Sequence, residues 1–376
     1  MLEERHVLVQ RAVREVVERA VRPVAARVDR EDSFPREALR ALGAAGYLGS
    51  LVPEPYGGGG ADLLSYALTI EALAAVSPSV AWIVVVHSSA TMAIAATGTE
   101  EQKRRWLPAL ARGERLASFA FTEANAGADF FAAECTARAA EAGYEVRGSK
   151  IFISLATEAD CFLVLARTER EAKNVGLSML VVERGTAGFA VGARLRGMGM
   201  RGIGWGEIVL DECRLAEAAR LGPEGKGTRA VFGMAGAYLL GAAALALGIA
   251  DGAYQGVSAR LRSRAVAGKT LGGLEALQFR MADLSARLEA ARALVYRACG
   301  ETDPRSVLPF QAKLFASETA LDVTRAALQL GGATGFAEDA DLQRLARDAF
   351  AVPLHFENND FLRRFVGRTL LGGGGS

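Results

Sequence analysis

No two of the four cysteines, Cys135, Cys161, Cys213 and Cys299, lie close enough for a CxxC pair, and only three histidines occur in 376 residues. Such sparse, isolated ligands argue against a zinc site or a disulfide framework and fit a reducing, cytoplasmic compartment. Charge of one sign is also lacking. The net charge is +1, which leaves no general electrostatic footprint for nucleic acid. The opening stretch MLEERHVLVQRAVREVVERA mixes acid and base and has no long apolar run, so it does not read as a signal peptide. One uncharged stretch, AVFGMAGAYLLGAAALALGIA at 230–250, is long enough to cross a bilayer. It consists mostly of Ala and Gly, no aromatic or basic belt flanks it, and no other segment resembles it. A buried helix is expected there, and no membrane span.

What is present is a large apolar fraction, 51% of residues, enough for an extensive core and two or three domains. Residues 3–29 carry Val9, Val13, Val16, Val17, Ala20 and Val24 at helical spacing. PEPYGGGGAD at 53–62 is a loop, and helical patterns resume from Leu63 to about Leu110. Near Leu116 the texture changes to short β-forming runs: LASFAFTE, YEVRGSKIFIS, CFLVLART, GLSMLVVE and GEIVLDECRL. After LGPEGKG at 221–227 the chain returns to long Ala- and Leu-rich helices. The expected fold is mainly α with a central β domain: an N-terminal helical domain (1–115), a middle β-barrel-like domain (116–220) and a C-terminal helical bundle (221–371). GGGGS at the end reads as a linker (372–376).

GMGMRG, residues 197–202, fits G-x-G-x-x-G in form. A dinucleotide fingerprint needs a helix after it, and IGWGEIVLDE reads as strand, so a glycine-rich turn of the β domain is expected.

Five stretches, PEPYGGGGAD, GTEEQKRRWLPALARGE, FAFTEANAGAD, GSKIFIS and QLGGATGF, together resemble the acyl-CoA dehydrogenase family of flavoenzymes, in that family's order and over nearly the whole chain. The resemblance implies FAD as cofactor, an acyl-CoA or acyl-carrier-protein thioester as substrate, an acceptor such as an electron-transfer flavoprotein, and a homotetramer. It places Thr122 and Ser154 at the flavin edge, where a hydroxyl can donate, and Phe152 on the flavin ring. On its own, Phe152 would be read as a core strand residue. Gln329, Gly331 and Gly332 resemble a loop that meets the FAD of a neighbouring subunit, and Arg264 matches a basic residue near the FAD phosphates. Without the family, the first would be a helix C-cap and the second a solvated charge. Ala128 stands where a Ser often contacts the CoA arm. Ala267 and Glu275 replace an aromatic and a Gln near the FAD.

The implied chemistry is α,β-dehydrogenation. A carboxylate removes the α-proton while the β-hydrogen leaves as hydride to flavin N5, and burial must raise the pKa of that carboxylate. In PLHFENND, residues 353–360, alignment on Leu362 and Arg364 puts Glu357 at the base position. Alignment on Arg347–Asp348 puts Phe356 there. Adjacent residues on a helix differ by about 100°, so the two registers differ in function. Asn358 and Asn359 replace the usual Gly and Thr. The alternative base position, on the first helix of the bundle, holds Tyr238 and Leu239, so Glu357 is the candidate catalytic residue. His355 resembles a feature of a monooxygenase branch of the same fold, which is one alternative; a non-catalytic subunit is another. For His87 a structural role is expected.

Overall fold

The computed structural model describes residues 2–169, 176–266, 268–303, 305–355 and 357–372. Phe356 and Ala267, on which two expectations turned, lie outside the described residues, as do residues 373–376.

The chain begins with helix α1 (Glu4–Val16), which runs through a π-turn (Val17–Val21) into α2 (Arg22–Glu31). After α3 (Arg36–Ala44) come α4 (Leu63–Ala74), α5 (Pro78–Thr97) and α6 (Glu100–Ala111). Local chemistry fixes their starts. Asp62 caps α4 by accepting from the Ser65 amide at 2.7 Å. Ser77 precedes Pro78 at the first position of α5, and Thr99 and Gln102 form a reciprocal capping box on α6. Helix α5 has no polar face. It is buried on all sides from Pro78 to Thr91, and this all-round apolarity places it at the centre of the molecule.

Strands β1 (Ala117–Ala120), β2 (Thr136–Ala140), β3 (Gly143–Ile153), β4 (Cys161–Arg167), β5 (Leu177–Glu183), β6 (Phe189–Arg194), β7 (Gly206–Ala216) and β8 (Arg220–Leu221) form one mixed sheet. Its order is β6-β7-β3-β2-β4-β5-β8, with β1 added in parallel on β4. Strands β4 and β5 are buried at six of seven positions each, which explains their unbroken apolar sequences. The sheet is followed by α7 (Thr228–Ser263), a short hairpin β9–β10 (Ala265–Val266, Lys269–Thr270), α8 (Glu275–Cys299), α9 (Leu308–Phe336), α10 (Asp341–Ala349) and α11 (Asn359–Leu370). Helix α7 packs against α4, α5 and α9 and joins the two helical regions. The order helical, β, helical agrees with the sequence expectation.

The apolar stretch 230–250 lies within α7, and 78% of the most apolar window of that helix is buried against the rest of the chain. The expectation that it is unique needs correction: Pro78–Thr97 is also long and apolar enough to cross a membrane, and its window is likewise 78% buried. Both have the burial of core helices.

Candidate functional site

A cavity of about 510 Å³ lies where the sheet meets the helices. Thr122, Phe152, Ser154 and Ala128, four of the residues singled out by the sequence, line it together. The β side is shaped by an irregularity in the β3–β7 pairing between Lys150 and Ile153. At this bulge Phe152 takes φ +59°, uncommon for a bulky side chain, and its ring stands 52% exposed. A core-facing Phe152 is thereby corrected: the bulge turns the ring out of the sheet into the cavity, 5.4 Å from Trp205.

The strand end carrying Thr122 is tied down from beneath. Lys150 is fully buried, and its Nζ donates to the carbonyls of Phe121 (3.2 Å) and Leu165 (2.6 Å) and to Glu123 Oε1 (2.6 Å). Glu123 in turn accepts from the amides of Glu134 and Cys135. Every polar atom of this buried pair that these bonds use has a partner, the condition under which a buried ion pair is tolerated.

The glycine-rich turn forms a third side. Gly197, Met198, Gly199 and Met200 line the cavity. A Cβ on Gly199 would lie 2.6 Å from backbone atoms of Arg347, so only glycine fits. Arg347 donates to the Met198 carbonyl at 2.8 Å and pairs with Asp29. Asp348 Oδ1 accepts from the Met200 amide at 2.6 Å, and burial pushes its carboxyl up to about 6. The expectation of a turn rather than a dinucleotide loop holds, but the sequence did not show that this turn borders the site.

The helix side consists of Trp82 and Val86 from α5, Tyr238 from α7, and His355 and Asn358 from the segment before α11. Among the described residues that line the cavity there is no carboxylate. Glu357 does not line the cavity, although His355 and Asn358 on either side of it in sequence do. It is half-buried, and its Oε2 is closed off from solvent with no hydrogen-bond partner among the described residues. Burial pushes its carboxyl up to about 7, against the opposing charge of Lys313. Lys313, fully buried on α9, donates from Nζ to the Glu357 carbonyl at 2.8 Å and to Asn359 Oδ1 at 3.0 Å. Burial lowers the Lys313 amine to about 8.

His355 Nδ1 is also closed off and without a partner among the described residues, and burial, then the Lys313 charge, hold its imidazole well below the ordinary range. His87 bridges the Leu110 carbonyl and the Ala117 amide, and burial drops it to about 4. Both ring nitrogens of His87 are thus used within the core, and its role is structural.

Other candidates lie elsewhere. Gln329 and Gly332 line an adjoining groove with Leu328, Phe336 and Phe350, the last of which also lines the cavity. Gly332, at φ +59° and ψ −156°, interrupts α9, while Gly331 is buried against Leu342. Arg264 follows α7 and is exposed, as is Glu275 at the start of α8. These residues are not brought to the cavity within one chain. Leu239 is buried outside the cavity, whereas Tyr238 faces into it. Trp82, Trp205 and Lys313 were not anticipated. Trp82 sits in a helical stretch that signals only burial, and Lys313 in a mixed helix where a lysine is expected at the surface.

The lining fits a flat aromatic cofactor. Phe152 offers an exposed ring face, and Ser154 Oγ accepts from Trp82 Nε1 at 3.0 Å, which leaves its own proton to donate into the cavity.

Comparison with known proteins agrees. Residues 3–114, 118–213 and 225–371 match the N-terminal, middle and C-terminal domains of acyl-CoA dehydrogenase. A short-chain-specific acyl-CoA dehydrogenase of Clostridium acetobutylicum is 36% identical, covering 91% of both chains. The structure of butyryl-CoA dehydrogenase from Megasphaera elsdenii superposes with a TM-score of 0.95 at 32% identity, covering 99% of both chains. A chain in a structure of the electron transferring flavoprotein of Acidaminococcus fermentans gives a TM-score of 0.95 at 33% identity, again covering 99% of both. The chain belongs to the acyl-CoA dehydrogenase family, the FAD-dependent oxidoreductases that act on the CH–CH bond of acyl thioesters.

Proposed function

We propose that Glu357 is the base that takes the α-proton of an acyl thioester bound in the 510 Å³ cavity. The observation that carries this reading is its carboxyl: raised to about 7, with one oxygen buried and unpaired among the described residues, on the short segment that also supplies His355 and Asn358 to the wall. A carboxyl near neutrality is matched to proton abstraction at physiological pH. Reaching the substrate requires its side chain to turn past His355 and Asn358 into the cavity. Thr122 and Ser154 hold the edge of the flavin and Phe152 packs on its face; bound FAD supplies the hydride acceptor. Ala128 lines the cavity and is assigned to the path of a CoA or acyl-carrier-protein arm.

Arg264, Gln329, Gly331 and Gly332 are assigned to the FAD of a neighbouring subunit. Their absence from the cavity lining supports that assignment, and a homotetramer is the proposed assembly. An electron-transfer flavoprotein is the assigned acceptor, and the cytoplasm, suggested by four unpaired cysteines, the compartment. The domains are assigned as 1–115, 116–220 and 221–371.

The test is anaerobic addition of acyl-CoA thioesters to the FAD-loaded protein. The flavin absorbance bleaches in the parent. Glu357→Gln retains FAD and does not bleach. Full bleaching by that variant would remove Glu357 from the role.

A further inference from the structure

Three parts of the chain meet at one corner of the cavity. The turn at 197–202 lies between β6 and β7, α10 belongs to the C-terminal helices and α2 to the N-terminal ones. Arg347 and Asp348, in the last turn of α10, join them. Arg347 Nη1 donates to the Met198 carbonyl at 2.8 Å and to Asp29 Oδ1 at 3.0 Å. Its Nη2 donates to Asp29 Oδ2 at 2.5 Å and its Nε to Gln343 Oε1 at 2.8 Å. Beside it Asp348, only 1% exposed, accepts from the Met200 amide at 2.6 Å. The far end of the turn is held from α2, where Asp32 Oδ1 accepts from the Gly202 amide at 2.7 Å.

Stability alone does not call for this arrangement. A buried carboxylate is costly, and an apolar side chain of similar size would fill the space more cheaply. The turn is also strained. Met200 sits at φ +51°, a conformation that such a side chain keeps only when its surroundings hold it there. The packing is close as well: a Cβ on Gly199 would stand 2.6 Å from the Arg347 backbone and 2.7 Å from the Asp348 nitrogen. A strained turn, bonded to a helix end at two points with no room for a methyl group between them, is held in one place.

Both partners carry cavity wall. Gly197 to Met200 line one side, and the chain that leaves α10 supplies Phe350, Ala351, Leu354, His355 and Asn358 to another. That second wall is pinned again further on, where the His355 imidazole stacks on Trp82 with centroids 3.7 Å apart and planes at 16°. The contacts of Arg347 and Asp348 therefore set the gap between the two walls. An error of about 1 Å in the placement of bound reactants lowers their rate by about a hundredfold.

We propose that Asp348, together with Arg347, is a positioning residue of this enzyme: it fixes the turn at 197–200 against the end of α10 and so sets the alignment of the acyl group with the flavin edge. The proposal rests on the cavity being the acyl site, and it is independent of which residue is the base.

The experiment follows anaerobic flavin reduction in FAD-loaded protein by stopped flow, with butyryl-CoA and octanoyl-CoA as probes. It reads the saturated rate per bound flavin, the thioester concentration that half-saturates it, and Tm. Asp348→Ala is expected to lower the rate by about tenfold or more while the half-saturating concentration stays within about threefold. Asp348→Asn keeps an acceptor for the Met200 amide and should bring the rate back to within about threefold of the parent. Arg347→Met leaves the Met200 bond in place, should give a smaller loss of rate, and covers the case in which Asp348→Ala fails to fold. A lower Tm with an unchanged rate per flavin in these variants would make both residues structural and overturn the proposal. A loss in Asp348→Asn as deep as that in Asp348→Ala would also overturn it, because the bond to the turn would not be the cause. Absence of reduction by either thioester in the parent would overturn both the acyl-site reading and the positioning role, whereas bleaching by Glu357→Gln would overturn only the base.

Discussion

The ammonium of Lys313 donates a 2.8 Å hydrogen bond to the backbone carbonyl of Glu357, so one buried lysine holds the segment on which the candidate base is carried. The same Nζ reaches Asn359 Oδ1, which also contacts Ser317, and thereby fixes the entry to α11. Its charge favours the ionised form of the Glu357 carboxyl, partly offsetting the burial that raises it.

Lys313→Met should separate these two effects. Loss of the anchoring bonds is expected to cost about 1–3 kcal/mol of stability, seen as a lower Tm. Loss of the cation should move the apparent pKa of the base above its value of about 7, shifting the kcat/KM profile to higher pH. A merely structural lysine would lower Tm and leave the profile in place.

Glu357 titrates with a definite sign. Its folded pKa lies above the ordinary 4.5, so between 4.5 and about 7 the folded state binds more protons than the unfolded one. This contribution to stability is therefore present at low pH and lost as pH rises through about 7, on the order of 1–3 kcal/mol. Activity runs the other way, rising through the same range as the base deprotonates. Glu357→Gln should remove that slope from denaturation curves measured from pH 5 to 8, and remove turnover at every pH.

Lys150→Met leaves the Glu123 carboxylate buried without its cation beneath the strand end that carries Thr122. The expected cost is about 3–5 kcal/mol, with weaker retention of FAD because Thr122 loses its support. Chemical denaturation and the flavin content of the purified protein check it. Unchanged stability would show that the pair is dispensable.

Gly332→Val tests the α9 groove. A Cβ there meets nothing within 4 Å, so the substitution acts through backbone strain at φ +59° rather than through a clash. Strain of about 1–2 kcal/mol or more should shift the Gln329–Gly332 segment. If that segment meets a neighbour's cofactor, FAD content falls with assembly intact by light scattering. Full FAD retention would detach the groove from the cofactor.

The sequence by itself determined the order of helical, β and helical regions, because period 3.6 and short β-rich runs depend on local pattern. It also brought Thr122, Phe152 and Ser154 to attention, since each lies in a contiguous motif. Tertiary structure decided what those motifs face. Phe152 left the core because a bulge of β3 against β7 rotates it, a pairing that is invisible in GSKIFIS. Trp82 lies in a helix where every position signals burial alike, and Lys313 is a charged residue in a mixed helix whose pattern predicts exposure rather than the full burial observed. Their partners Ser154, His355 and Asn359 are distant in sequence, up to 273 positions from Trp82 to His355. Contacts at such separation exist only once the chain has packed, and these contacts hold the segment of the candidate base and build the helix side of the cavity.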